Sequence, residues 1–328
     1  MPFAGLPEHH PVWPEILAAL GEDVRVLEEA GGRLAYTVSR VEAAGASATV
    51  VNSLPYIAYG GPHAPDPACQ RTLLERLTEA AAALDADVLS VGTSPLLTEE
   101  EERLYREVLQ PTHVLENPVQ LQTLDPHPLE QLTRKRRGAI ESELRRGERG
   151  GLRVIETLTE SQFDEWLEIY RERYRELGAA PYPDEFHRQL HRRGVAGGVA
   201  EFHGLIDDAG RLLGGIAFLL SELSATYFSS AFVSEARQLF PTTFVLDRAF
   251  HDFRRRGIRT FNWHSSPSSG GVHAYKQRWG ARVHRHFYLA TLRKPDTALF
   301  RWSPAAVRQL FPFRFVLPFS AWPAATMP

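Results

Sequence analysis

The chain runs twice through one order of elements, strand, loop, helix, strand, at residues 48–93 and again at 225–264. The two copies share order and similar length but not residues, which reads as an internal duplication. That order confines the fold to an α/β one, in which a helix links two neighbouring parallel strands. Where such strands splay apart they expose backbone amides. An extended ligand can dock there, with an anionic group at the helix N-terminus.

The second copy carries the stronger signals. Tyr227 to Phe232 (YFSSAF) reads as a strand of aromatic and small residues. Phe240 to Gly257 reads as a helix, with Pro241 in its first turn and Phe244, Val245, Ala249, Phe250 and Phe253 at helical spacing. Arg254, Arg255 and Arg256 suit the negative end of its dipole, and Gly257 ends it. Ile258 to His264 (IRTFNWH) alternates as a strand does. A Ser/Pro/Gly loop follows at 265–271, then a short helix carrying Lys276. In the first copy, a strand at 48–59 is broken by Gly60-Gly61-Pro62. A helix at 66–86 has Leu73, Leu74, Leu77, Ala80, Ala81 and Leu84 on one stripe, and a strand at 87–93 closes the copy.

The remaining elements flank these copies. A helix at 13–20 and a hairpin of strands 24–30 and 34–43 open the chain. Thr98 caps a helix at 98–109 with an acidic first turn, and a strand spans 114–124. Residues 129–149 are the most charged stretch and read as one helix bearing Arg134, Lys135, Arg136, Arg137, Arg145, Arg146 and Arg149. A strand at 151–157, helices at 161–177 and 185–191, and strands at 198–206, 211–220 and 225–233 follow, with a closing strand at 282–292. Two domains are expected, 1–128 and 129–294, with the aromatic, Pro-rich segment 295–328 packing back on the first. The length of 328 residues accommodates both.

Composition excludes several classes. A formal net charge of -3 gives no global field for nucleic acid or an anionic membrane, so any such contact rests on a local patch. Cys69 is the single cysteine, which rules out an internal disulfide and a multi-cysteine metal site. Residues 1–17 lack a basic stretch followed by an apolar core, so no signal peptide is expected. The longest apolar run, Leu212 to Leu220, is about half the roughly 20 residues of a membrane helix. A cytoplasmic protein without an integral membrane segment is therefore expected.

After the Pro-led helix, the Gly, the aromatic strand and the Ser/Gly loop comes Tyr275-Lys276-x-x-Trp279-Gly280-Ala281. Earlier lies Leu54-Pro55-Tyr56…Tyr59-Gly60-Gly61-Pro62. Together these resemble the FemAB-like acyltransferases. The resemblance implies an α/β (α+β) architecture of two tandem GNAT-like domains, each a mixed central sheet flanked by helices. It implies N-acyl transfer by direct attack, with no covalent enzyme intermediate and no tightly bound cofactor. The co-substrate would be acyl-CoA or aminoacyl-tRNA. The acceptor would be an amine on a peptidoglycan precursor, a peptide or a small metabolite, with tRNA as a partner where it is the donor.

The resemblance puts Lys276 near the reacting centre, as a donor to the oxyanion or to a phosphate. His264, at a strand end, is a candidate base, and Tyr227 joins it in the cleft. Arg237, Thr242 and Thr243 at the helix start, with Arg134 and Arg137 on the basic helix, would hold the donor's phosphates. Ser229, Tyr275 and Arg278 would meet substrate. Residues 235–243 depart from the glycine-bearing phosphate nest of acyl-CoA-binding N-acetyltransferases: they contain no glycine, and Pro241 removes an amide. That departure keeps open a non-catalytic binding protein with a degenerate GNAT fold. His284 and His286 share one side of a strand but lack a third ligand at a telling spacing, so no metal is expected. His264 with Ser265 and Ser266 lacks the Gly-x-Ser-x-Gly elbow of a hydrolase.

Overall fold

The structure, a computed structural model, describes residues 6–53, 55–266 and 270–322. Leu54 and Pro267 to Ser269, which belong to motifs quoted above, lie outside the described residues. The strands are β1 (Asp23–Glu29), β2 (Gly32–Ala43), β3 (Ala46–Asn52), β4 (Val88–Gly92), β5 (His113–Thr123), β6 (Arg153–Ile155), β7 (Ala200–Ile206), β8 (Leu212–Leu220), β9 (Ser224–Phe232), β10 (Thr260–Ser265) and β11 (Arg282–Leu292). The helices are α1 (Val12–Ala19), α2 (Pro67–Ala83), α3 (Glu99–Leu109), α4 (Arg134–Arg149), α5 (Glu160–Leu177), α6 (Asp184–Gln189), α7 (Pro241–Arg255), α8 (Gly271–Arg278) and α9 (Pro304–Leu310). Among the described residues no helix is long and apolar enough to cross a membrane.

The chain divides into two compact units. The first holds Trp13–Asn117 together with the chain from Arg285 onward; the second holds Pro118–His284 together with the residues up to Val12. In the first unit β1, β2 and β3 pair antiparallel, β3 and β4 pair parallel, and β11 closes antiparallel on β4. In the second, β6 to β9 pair antiparallel in sequence, β9 and β10 pair parallel, and β5 closes antiparallel on β10. Both units therefore hold one parallel pair joined by a helix crossover, α2 in the first and α7 in the second.

Burial explains the strand sequences. In the first unit, α2 sets Leu73, Leu74 and Leu77 against Leu34, Val51 and Leu89. The opposite face, Val50 and Val88, is covered by Leu299, Trp302 and Phe311 from the C-terminal segment. With both faces covered where β3 and β4 pair, apolar residues stand side by side there, Val50 with Val51 and Val88 with Leu89, rather than alternating with polar ones. In the second unit α7 buries Phe244, Val245, Phe250 and Phe253 against Phe218, Phe261 and Trp263. Each such ring contributes about 2 kcal/mol by leaving water. On α5, Trp166 is fully buried and donates Nε1–H to the Gly215 carbonyl at 3.2 Å.

Two elements differ from the sequence reading. The strand read at 48–59 stops at Asn52, because Pro55 has no amide to offer a ladder and Tyr56 takes a left-handed φ of 68°. The helix read at 129–149 is two pieces. His127 Nδ1 caps a short 3-10 turn at Pro128–Gln131, and extended Leu132 and Thr133 separate it from α4.

Candidate active site

β9 and β10 pair over only three residues, from Ser224 with Thr260 to Thr226 with Asn262. Beyond that point each strand is bent by its own sequence. On β9, Phe228 is an extra residue: Phe218 faces Tyr227 and Ala217 faces Ser229. On β10, the Asn262 side chain accepts the His264 amide at 2.9 Å, and His264 takes a φ of 61°. Bulges of this kind re-aim strands beside binding sites. The opening between the strands is a cavity of about 450 Å³. Its walls are Tyr227 and Phe232 of β9, Trp263 of β10, Phe240 to Thr243 at the start of α7, and Tyr275 and Lys276 of α8. Arg173 and Arg237 line it too.

Lys276 is 5% exposed, although it lines the cavity. Its ammonium donates to the carbonyls of His264 at 3.0 Å and Ser265 at 3.3 Å. An ammonium has three N–H groups, so one remains. Burial lowers the Lys276 pKa from 10.5 to about 8, which leaves it mostly charged at neutral pH. Tyr275 donates within a chain of hydroxyls: Thr243 Oγ lies 3.1 Å from its phenol oxygen and 2.8 Å from Glu143 Oε2. Burial pushes the Tyr275 phenol up to about 12. Tyr227 bonds to Ser230, and burial raises its phenol further still.

At the start of α7, Phe240 is left-handed (φ 54°) and supplies no side-chain cap. Pro241 at the first helical position leaves the amides of Thr242 and Thr243 as the turn's free donors. Beside them, Glu176 Oε2 accepts from both Arg173 and Arg237 at 2.8 Å, and Ser234 bonds its other oxygen. This holds the Glu176 carboxyl below the usual range, Arg173 contributing most.

Six of the sequence candidates thus meet in one cavity: Lys276, Tyr227, Arg237, Thr242, Thr243 and Tyr275. The others sit elsewhere. His264 contributes its carbonyl to Lys276, and its ring stands edge-on to Phe228. Ser229 is buried 3.5 Å from His187 Nε2. Arg278 makes two bonds to Glu143, both at 2.6 Å. Arg134 and Arg137 are exposed on the first turn of α4, where Arg137 pairs with Glu141 at 3.7 Å. Sequence reasoning missed Arg173, Glu176 and Glu143. No spacing signal marks them, since each sits in a run of alternating charges.

His284 is exposed, and His286 is buried 3.0 Å from the Asn117 amide. A different cluster, His127, Asp247 and His251, brings its ligand atoms within 4.8 Å of one another. There the Leu129 amide donates to His127 Nδ1 at 3.3 Å, so the neutral ring carries its proton on Nε2, 3.9 Å from Asp247. That arrangement aims a donor at a carboxylate rather than a lone pair at a cation.

Residues 134–277 match the model of the acetyltransferase (GNAT) domain. The matched stretch lies within the second unit. The second unit supplies its splayed strands, its crossover helix and its cavity. Among solved structures, FemX covers 93% of its own length and 92% of this chain, with a TM-score of 0.66 at 12% identity. L-PGS from Bacillus licheniformis covers 90% of each chain, with a TM-score of 0.63 at 13% identity. The C-terminal domain of a putative lysylphosphatidylglycerol synthetase from Agrobacterium fabrum has a TM-score of 0.60 at 17% identity, over 90% of this chain and 92% of that one. At such identities the likeness is one of fold. No curated protein matches the chain by sequence.

Proposed function

We propose that the chain transfers an acyl or aminoacyl group to an amine by direct attack, without a covalent enzyme intermediate. The observation that carries this is the Lys276 ammonium. It is fixed by two carbonyls at the open end of the β9–β10 wedge, with one N–H left for a developing oxyanion. A preorganised charge on a largely buried side chain is worth more to a tetrahedral transition state than the same charge in water. Acyl-CoA or aminoacyl-tRNA supplies the group. The donor's phosphates meet the Thr242 and Thr243 amides and Arg237, with Arg134 and Arg137 serving a longer tRNA donor. His264 and Tyr227 flank the reacting centre, and Ser229 and Arg278 support its walls. The acceptor is an amine of a peptidoglycan precursor, a peptide or a small metabolite, met in the cytoplasm.

Titration of the purified chain with acetyl-CoA and, separately, with pooled aminoacyl-tRNA tests the donor. Micromolar binding of one of them, with turnover lost in Lys276→Ala, is the expected result. Full turnover in a folded Lys276→Ala variant refutes the assigned role. One observation favours the second reading, a binding protein with a degenerate fold: Pro241 stands where a phosphate nest would offer an amide. Donor binding without turnover against any amine would establish that reading.

A further inference from the structure

We infer that Tyr275, Thr243 and Glu143 form a proton relay that carries the attacking amine's proton out of the cavity. The inference rests on the transfer reading above. Thr243 Oγ has one hydrogen and gives it to Glu143 Oε2 at 2.8 Å. The 3.1 Å bond to Tyr275 must then have the phenol as donor. All three hydroxyl and carboxyl groups therefore point one way, from the cavity to the carboxylate. Tyr275 and Thr243 line the cavity together with Lys276, while Glu143 lies behind them. Thr243 is 2% exposed, so bulk water does not compete along the chain. Arg278 grips both Glu143 oxygens at 2.6 Å and lies over the Tyr275 ring at 5.2 Å, which fixes both ends of the relay.

The step balances. The amine nitrogen bonds to the acyl carbon, and one of its protons passes to the Tyr275 oxygen. The Tyr275 proton moves to Thr243, and the Thr243 proton moves to Glu143. Tyrosine and threonine end unchanged, and Glu143 returns its proton to water. The carbon–sulfur or carbon–oxygen bond of the donor breaks, and the departing atom takes a proton from water. Tyr275 is the group that touches the amine; Thr243 and Glu143 act through it.

The test is steady-state kinetics of the full chain with glycinamide as acceptor probe and acetyl-CoA or pooled aminoacyl-tRNA as donor. Tyr275→Phe, Thr243→Val and Glu143→Gln are each expected to lower kcat about 100-fold with donor KM within about twofold. The double variant Tyr275→Phe/Thr243→Val should be no slower than the worse single, because one broken link already stops the relay. The deficit should narrow between about pH 7 and about pH 9, where solution base takes over. Thr243→Ser keeps the hydroxyl and should restore turnover, which separates the relay from a loss of folding. Single losses under about threefold, or losses that multiply in the double variant, would overturn the relay and leave the transfer reading standing. Absence of wild-type turnover with both donors would remove both.

Discussion

Lys276→Met is the substitution for which the structure gives the least intuitive outcome. Lowering the lysine pKa from 10.5 to about 8 disfavours the charged form by about 3 kcal/mol, at about 1.4 kcal/mol per pH unit. Water entering from the cavity screens part of that, so about 2 kcal/mol stands against the fold at neutral pH. Methionine has nearly the same length and carries no charge, which relieves this cost. Against it, the carbonyls of His264 and Ser265 lose a donor, at about 1 kcal/mol in total because cavity water can replace it. The net expectation is a protein stabilised by about 1 kcal/mol, a rise in Tm of about 2 °C, with turnover abolished. Chemical denaturation as a function of pH isolates the cause. Between about pH 8 and about pH 10.5 the unfolded lysine still binds a proton that the folded one has lost, so the wild type gains stability with rising pH and the gap to the variant closes. A Tm lowered by several degrees, or a gap that does not change with pH, would refute the view that this lysine is held charged against the fold for chemistry.

Glu8 is 1% exposed, with neither carboxylate oxygen bonded to another residue among the described ones, and burial raises its pKa from 4.5 to about 7. Wild-type stability should therefore fall as pH rises from about 4.5 to about 7. Glu8→Gln should be more stable by up to about 3 kcal/mol at pH 8 and by little at pH 5, as read by denaturant melts. Gly214 has a φ of 130°, and a Cβ there would strike the Ala231 carbonyl beside the cavity wall. Gly214→Ala should cost at least about 2 kcal/mol and weaken donor binding, whereas Gly178→Ala, with open space at its Cβ, should cost about 1 kcal/mol or less.

Much of this site is legible in the sequence because it is built from local signals. Pro241 followed by apolar residues at helical spacing predicts α7, and the alternation of 258–264 predicts β10. The order Tyr275, Lys276, Trp279, Gly280 fixes where the lysine falls. What is not legible depends on residues far apart in the chain. Glu143 meets Thr243 and Arg278 across 100 and 135 positions, and in sequence it is one glutamate among arginines. The extra residue at Phe228 and the left-handed turn at His264, which open the wedge, follow from how β8, β9 and β10 pair. The pattern of 227–232 or 258–264 alone does not encode them.

The duplication raises the question of why one wedge holds the candidate chemistry when the chain contains two. In the first unit β3 and β4 also pair in parallel over three residues, from Val50 with Val88 to Asn52 with Ser90. There the chain's own atoms fill the space where the strands would diverge. Ser53 accepts the Gly92 amide at 3.1 Å, Gly60 donates to the Gly92 carbonyl at 2.8 Å, and a Cβ on Gly92 would strike the Ala58 carbonyl. Asn52 and Ser90 both donate to the Phe315 carbonyl, at 2.6 and 2.7 Å. Ser53 and the stretch from Pro55 to Pro62 thus satisfy the backbone groups that a ligand would otherwise meet, which also explains why the chain leaves the strand after Asn52. In the second unit Tyr227, Phe232 and Trp263 line a cavity at that place instead. One donor molecule per chain is therefore expected by calorimetry, and Asn52→Ala should lower stability by about 2 kcal/mol without creating a second site. A stoichiometry of two would mean that the first wedge opens, and would refute the plug.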